Sequence, residues 1–291
     1  MSMYPKPLDV ASLEITKANG EKSLFDPSKL LNSMTRSGIQ PDEAQKIVDT
    51  ISKDLYPGIS TKQIYKSAYQ LLKNKSRHFA ARYNLKNSIM QLGPSGYPFE
   101  KFIGALMTYQ GYIVQVGQIM TGKCVPHEID VIASKGKQQI LMECKYHNRP
   151  GSICDVKIPL YINSRFLDVQ DQLQVNPGYT KIKHEGWVVT NTRFTNDAIK
   201  YGNCAGLQLL GWNYPVKKGL KDLIDNFGLY PITTLTSLSL HEKKYLLDKG
   251  IVLCVGLPNA RHILKELHIS SQRLKVILDE CDKLCQRLGG S

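Results

Sequence analysis

Near the N-terminus the apolar and polar positions alternate, and Leu13 to Lys17 therefore reads as a strand. Asn19-Gly20 is a hairpin turn signal, with Glu21 to Phe25 as the return strand. Asp26-Pro27 supplies an N-cap and a first-turn proline for a helix ending before Gly38. Three helical patterns follow, over 41–55, 61–74 and 76–92, so the first block is a β-hairpin carrying a helical bundle. Gly93-Pro94-Ser95-Gly96 breaks the pattern and marks the first domain boundary. Beyond it, Phe99, Phe102, Ile103, Leu106 and Met107 line one face of a helix.

Strand-like segments then come in series at 111–117, 127–133, 138–146, 186–190 and 206–210, with a helix at 195–203 between the last two. Strands mixed with flanking helices predict an α/β domain built on a mixed sheet. From Lys217 the pattern is helical in short pieces, 217–226, 239–249, 259–267 and 271–287, punctuated by Gly250 and Gly256. The expected organisation is therefore three regions, 1–92, 93–215 and 216–291, the last a small helical appendage. No internal repeat or low-complexity tract interrupts them.

Charge sharpens this picture. In 291 residues, 38 Lys and Arg outnumber 25 Asp and Glu, a formal net charge of +13. That excess suits a polyanionic partner, nucleic acid or anionic lipid, although it also serves plain solubility. No apolar run approaches the ~18 residues of a membrane span, and no signal-peptide core is evident. The seven cysteines are scattered, with no C-x-x-C pair. Such usage fits a reducing, cytoplasmic setting and argues against a disulfide scaffold or a zinc ribbon. Cys281 and Cys285, one helical turn apart, read as core packing.

The chemistry concentrates in GKQQILMECKYH, residues 136–147. Glu143 and Lys145 lie two apart on a strand and so share a face. If Gly136-Lys137 forms a two-residue II′ turn, Lys135 pairs with Gln138, and counting back sets Asp130 opposite Glu143. Two carboxylates at ~4.5–5.5 Å between Cβ atoms destabilise a sheet unless a cation lies between them. Oxygen donors suit Mg²⁺ or Mn²⁺, with Lys145 beside the ion to position a water. An E-x-K triplet by itself is common, and the residues leave two readings open: a metal site, or a salt-bridged hairpin. His127, three before Asp130, belongs on the opposite face and reads as structural. Lys123, Lys135 and Lys137 are loop cations that either touch phosphate or merely solvate.

Four segments in this order, GYPFEKFIGALMTYQGYIVQVG, HEIDVIA, QILMECKYH and GWVVTNTRFTNDAIKYG, resemble the Mrr-type restriction endonuclease domain of the PD-(D/E)xK nuclease superfamily, over about 96–213. The resemblance implies a restriction-endonuclease-like sheet and a catalytic set of Glu100, Asp130, Glu143 and Lys145, with Asp130, Glu143 and Glu100 as metal ligands. Many Mrr-type members carry glutamine where Glu143 stands; here the glutamate of the wider superfamily is present. Thr190, Asn191 and Thr195 fall in the family's downstream strand-to-helix segment and are expected to be scaffold, the alternative being a contact to DNA. Residues 151–174, GSICDVKIPLYINSRFLDVQDQLQ, depart from the resemblance.

The first block resembles a second family. KANGEKS lacks the spacing of a phosphate-binding P-loop. ITKANGEKSLFDPSKL, GISTKQIY and AARYNLKNSI instead resemble the ATP-cone, the nucleotide-sensing domain of ribonucleotide reductases and their repressor. A glycine-tipped hairpin beside a helix N-terminus and nearby cations is also a physically sensible phosphate cradle. The resemblance implies that Lys17 and Lys29 bind phosphates, that Thr61, Tyr65 and Arg82 contact the nucleotide, and that Ile15, Phe25 and Leu30 line the base pocket. Ala18 stands where that family often has a second basic residue. Together the two resemblances imply a DNA endonuclease that depends on a divalent metal and is regulated by ATP or dATP. It would work in restriction or defence, with a nucleotide-dependent homo-oligomer and no membrane partner. The alternative is a nucleotide-responsive DNA-binding protein whose nuclease fold is silent. A repressor of the reductase type is disfavoured, because the zinc ribbon of such proteins is missing.

Overall fold

A computed structural model describes residues 13–17, 20–175, 178 and 181–286. Two compact units divide the chain, one running up to Lys86 and including Thr234–Ser237, the other comprising Asn87–Thr233 and Leu238 onward.

In the first unit, β1 (Glu14–Thr16) pairs antiparallel with β2 (Lys22–Leu24), Thr16 facing Lys22. Gly20 sits at φ +83°, a conformation that favours glycine, while Ala18 and Asn19 of the expected turn lie outside the described residues. Then come α1 (Pro27–Thr35), α2 (Pro41–Lys53), α3 (Thr61–Lys75) and α4 (Arg77–Tyr83). Asp26 caps α1 by accepting from Ser28 N at 3.0 Å, and Ser60 with Gln63 forms a reciprocal capping box on α3. The helical stretch expected over 76–92 is divided: α4 ends at Tyr83 with Asn84 as its C-cap, and α5 (Leu85–Ile89) starts afresh. Apolar faces of the hairpin and helices meet in one core that includes Phe25, Met34, Val48, Ile64 and Leu72.

The second unit holds a mixed sheet whose spatial order is β3 (Ile113–Thr121), β4 (Pro126–Lys135), β5 (Gln138–Lys145), β7 (Lys183–Thr190) and β9 (Gln208–Leu210). The first three strands are antiparallel neighbours; β5–β7 and β7–β9 are parallel. Parallel neighbours need long crossovers, which here are helices. The first is α7 (Lys157–Gln174), reached through the short β6 (Ile153–Cys154). The second is α8 (Asn196–Cys204), preceded by β8 (Arg193–Phe194), which pairs with β6. Ahead of the sheet, α6 (Tyr97–Tyr109) buries Phe99, Phe102, Ile103, Leu106 and Met107, the face expected from their spacing.

Residues 151–174, where the resemblance is faint, contain the longest helix of the unit, α7. Its inward residues Ile162, Phe166, Val169 and Leu173 recur every three or four positions, so a helical period was present in the sequence. Gly186 lets this helix approach the sheet closely, since a Cβ there would lie 2.8 Å from Phe166 Cγ. After the sheet come α9 (Leu220–Phe227), α10 (Leu240–Asp248), α11 (Arg261–Glu266) and α12 (Ser271–Cys285), all short as expected. All seven cysteines are free thiols. Cys281 is buried and donates to Cys254 O at 3.0 Å, in line with a packing role. Among the described residues, no helix is long and apolar enough to cross a membrane.

Candidate functional site

In the first unit, a cavity of about 300 Å³ opens between the hairpin, α1 and α3. Ile15, Lys17, Phe25, Lys29, Leu30, Thr61 and Tyr65, all singled out from the sequence, line it. Apolar Ile15, Phe25 and Leu30 form one wall, and the two lysines stand at the hairpin and the start of α1. Each lysine is paired with a neighbouring acid: Lys17 Nζ lies 3.1 Å from Glu21, and Lys29 Nζ lies 3.5 Å from Asp26. Both pairs are largely exposed, so a polyanion can exchange for the acid at little cost.

Arg82 is placed differently from expectation. It is buried and absent from the cavity wall, where Tyr83 appears instead. Tyr83 stacks on Tyr65 with ring centroids 4.9 Å apart and an interplanar angle of 14°. Sequence reasoning missed it. A larger hollow of about 580 Å³, lined by α2 and α3 residues such as Thr50, Gln63 and Lys66, contains none of the expected residues.

The second site lies where the sheet splits. Gly136 has φ +58° and Lys137 lies outside the left-handed region, the backbone of a II′ turn. The pairing Lys135↔Gln138 follows, and the ladder continues to Val131↔Met142. There it stops, one rung short of the expected pair Asp130 and Glu143. On the other side of β4 the ladder to β3 also skips the rung at Asp130, where Gly117 (φ +64°) stands across from it. Ile129 and Ile132, three apart, pack in one cluster with Val169 and Leu173, so the alternation of faces is broken between them. Two opposed carboxylates repel, and the strands part at that point. Asp130 Oδ2 takes over a backbone role, accepting from Cys144 N at 2.7 Å.

Glu143 and Lys145 share a face as the strand period requires, with Nζ 2.6 Å from Oε1. Glu100, in the first turn of α6, enters the same group. Burial first, and then the charges of Asp130, Glu128 and Glu143, push its carboxyl up to about 7. Burial, followed by the Glu143 charge, raises Asp130 to about 6. The four residues singled out from the sequence, Glu100, Asp130, Glu143 and Lys145, are thus brought together. Two further members were missed. Glu128 is two residues before Asp130 and adds to the field on Glu100. Arg165, one helical turn after Tyr161 on α7, donates from Nη1 to Glu143 Oε2 at 2.7 Å and from Nη2 to the Glu128 carbonyl. The spacing of Ile162, Phe166 and Val169 would have revealed α7, but not that its polar edge reaches Glu143.

The surroundings hold this group in place. Thr190 Oγ1 donates to Lys145 O at 2.7 Å, while Asn191 accepts from His147 N at 2.9 Å and donates to His147 O at 2.7 Å. Thr195 caps α8 by accepting from Ala198 N at 3.2 Å. These three are scaffold contacts. His127 Nε2 lies 2.8 Å from Asp168 Oδ2, whose oxygens also accept from Cys124 N and Val125 N; it ties the β3–β4 loop to α7. Its bond holds the Asp168 carboxyl down to about 2.

The donor chemistry, carboxylate oxygens of Glu100, Asp130 and Glu143 in one partly buried group, fits a hard divalent cation. As placed, however, no three His, Cys, Asp or Glu side chains among the described residues can share one ion. Each oxygen of Glu143 is held by a cationic side chain.

The fold and the first cavity define the class: an ATP-cone, the kind of domain through which a nucleotide regulates its neighbours, joined to a mixed α/β unit with a helical C-terminus. Residues 13–86 match the ATP cone domain, and residues 230–285 match the family described as AF1548-like, C-terminal. An uncharacterized protein of Archaeoglobus fulgidus is 34% identical over 180 residues, covering 62% of this chain and 97% of the relative. A solved structure described as "Crystal Structure of Protein of Unknown Function AF1548" is 31% identical, with a TM-score of 0.53, covering 66% of this chain and 98% of that one. The chain belongs to the AF1548-like family.

Proposed function

We propose that this protein is a nucleotide-regulated, divalent-metal-dependent DNA endonuclease, the cone binding ATP or dATP and the α/β unit hydrolysing phosphodiesters. The observation that carries the reading is the meeting of Glu100, Asp130 and Glu143 around Lys145 at the split in the sheet. The order of helix acid, strand aspartate and E-x-K in the PD-(D/E)xK nucleases supports it. Asp130, Glu143 and Glu100 would hold Mg²⁺ or Mn²⁺, which when bound lowers the pKa of water and offsets charge on the phosphodiester. Lys145, 29% exposed and anchored by its bond to Glu143, orients the attacking water and balances the phosphate charge. The scaffold contacts of Thr190 and Asn191 keep the end of β5 in place for this.

The net charge of +13 supports a nucleic-acid partner, and the cone cavity with its two lysines supports the regulatory ligand. Nucleotide would act by changing the orientation or the oligomeric state of the nuclease, and coupling between the sites is reciprocal. A restriction or defence role rests on analogy between folds. Plasmid incubated with Mg²⁺ or Mn²⁺, with and without ATP or dATP, is expected to be nicked by wild type. Glu143→Ala and Lys145→Ala should lose ~10²-fold or more of that rate. Equal cleavage by all three proteins would rule out the site.

One observation favours a second reading, a nucleotide-responsive DNA-binding protein without catalysis: both oxygens of Glu143 are engaged by Lys145 and Arg165. Tight, salt-dependent binding of DNA with no nicking under any metal would select it.

A further inference from the structure

We infer that Arg165 is a latch on the acidic site, a tethered cation that holds Glu143 in competition with a divalent ion. The inference rests on the reading of this group as a metal site.

Arg165 lies outside every segment that carries the family resemblance, yet its guanidinium binds Glu143 directly. Nη1 is 2.7 Å from Oε2, and Nη2 donates to the carbonyl of Glu128 on β4. The side chain is 16% exposed, and the guanidinium carbon sits 5.5 Å from the centroid of the Tyr161 ring, one turn earlier on α7. Helix α7 is itself fixed by Ile162, Phe166 and Val169 in the core. The fork therefore bridges α7, β4 and β5 across the mouth of the split, and it is a rigid, permanently charged group.

With Oε1 on Lys145 and Oε2 on Arg165, Glu143 has a cation on each oxygen. An ion shared between Glu143 and Asp130 would stand a few ångströms from the guanidinium, and like charges at ~4–6 Å oppose one another by one or more powers of ten in affinity. Entry of the ion thus requires Arg165 to leave Oε2. A phosphate group accepts a guanidinium in the same bidentate fashion as a carboxylate, so an incoming nucleic-acid backbone is the partner to which it would turn. Loading of the metal then becomes linked to arrival of substrate.

Mn²⁺ binding to the full chain, measured by calorimetry and by the loss of the free-ion paramagnetic resonance signal, tests this without reference to cleavage. Arg165→Met should bind Mn²⁺ about tenfold more tightly than wild type, and adding Glu143→Ala to it should abolish the gain. Arg165→Lys, which keeps the charge, should stay close to wild type; thermal melts of both variants report whether the Glu128 contact matters to folding. Equal or weaker binding by Arg165→Met, or a tightening by Arg165→Lys as large as that of the methionine variant, would overturn the latch and leave the metal site standing. No binding by any of the proteins at millimolar Mn²⁺ would remove both.

Discussion

Lys17→Ala isolates the role of the cone cavity. In the structure Lys17 Nζ is 3.1 Å from Glu21 Oε2, with side chains 44% and 60% exposed. An ion pair that open to water contributes ~0–1 kcal/mol, so losing it should change stability by no more than ~0.5 kcal/mol. A bond from an ammonium to a phosphate is worth ~1.5–3 kcal/mol net. Subtracting the exposed pair that must first be released leaves about 1–2 kcal/mol, equivalent to a dissociation constant ~5–30-fold weaker. Calorimetric titration of the full chain with ATP, and separately with dATP, reads this directly, with a thermal melt as the control. Lys29 is 84% exposed, so a phosphate bond there is screened more by water and its alanine variant should show a smaller effect. If Lys17→Ala binds both nucleotides within twofold of wild type, the placement of phosphates at the hairpin is wrong. If wild type gives no heat with either nucleotide at high micromolar concentration, the sensing role falls with it.

Three further expectations concern the α/β unit. Arg273 Nη1 and Nη2 each lie 2.7 Å from a Glu242 oxygen, and with the Ser239 N–H they hold that carboxyl down to about 2 from 4.5. A lowered carboxylate pKa stabilises the fold above the ordinary value and ceases to as pH falls from about 4.5 towards about 2; denaturant titrations across that range should show a steeper acid loss in wild type than in Glu242→Gln. Gly186→Ala puts a methyl 2.8 Å from Phe166 Cγ and 2.9 Å from Leu207 Cδ2. Overpacking of that kind costs ~1–3 kcal/mol in urea unfolding, and a neutral result would mean that α7 does not press on β7 here. Asn191→Ala removes two bonds to the His147 backbone, at 2.9 and 2.7 Å, from a fully buried side chain. A loss of ~1–3 kcal/mol is expected; an unchanged melting curve would show that the segment after β5 is held by other means.

The elements that could be read from the sequence are those whose cause is local. A glycine in the first position of a two-residue turn set the pairing of Lys135 with Gln138, and strand alternation put Glu143 and Lys145 on one face. The Asp26 cap and Pro27 gave α1 its start, and periodic apolar positions gave α6 its buried face. The error at the far end of the same hairpin has a physical origin too. Counting assumes a regular ladder, and the ladder fails where two carboxylates would have faced each other. Seven of the eight residues expected around the nucleotide line one cavity, whereas Arg82 is buried and its neighbour Tyr83 stands at the wall.

What the chain alone determined, then, is the set of short-range geometries: turns, caps, faces and the order of its acids. Tertiary structure decided which faces meet. Burial drew the first turn of α6 against β4, so that Glu100 entered the field of Asp130 and Glu143. Packing of Ile162, Phe166 and Val169 swung the polar edge of α7 over β5 and delivered Arg165 to an acid 22 residues away. No local pattern encodes such a contact, because side-chain periodicity reports which side of an element is buried and is silent on what that side, or its rim, will find across the core.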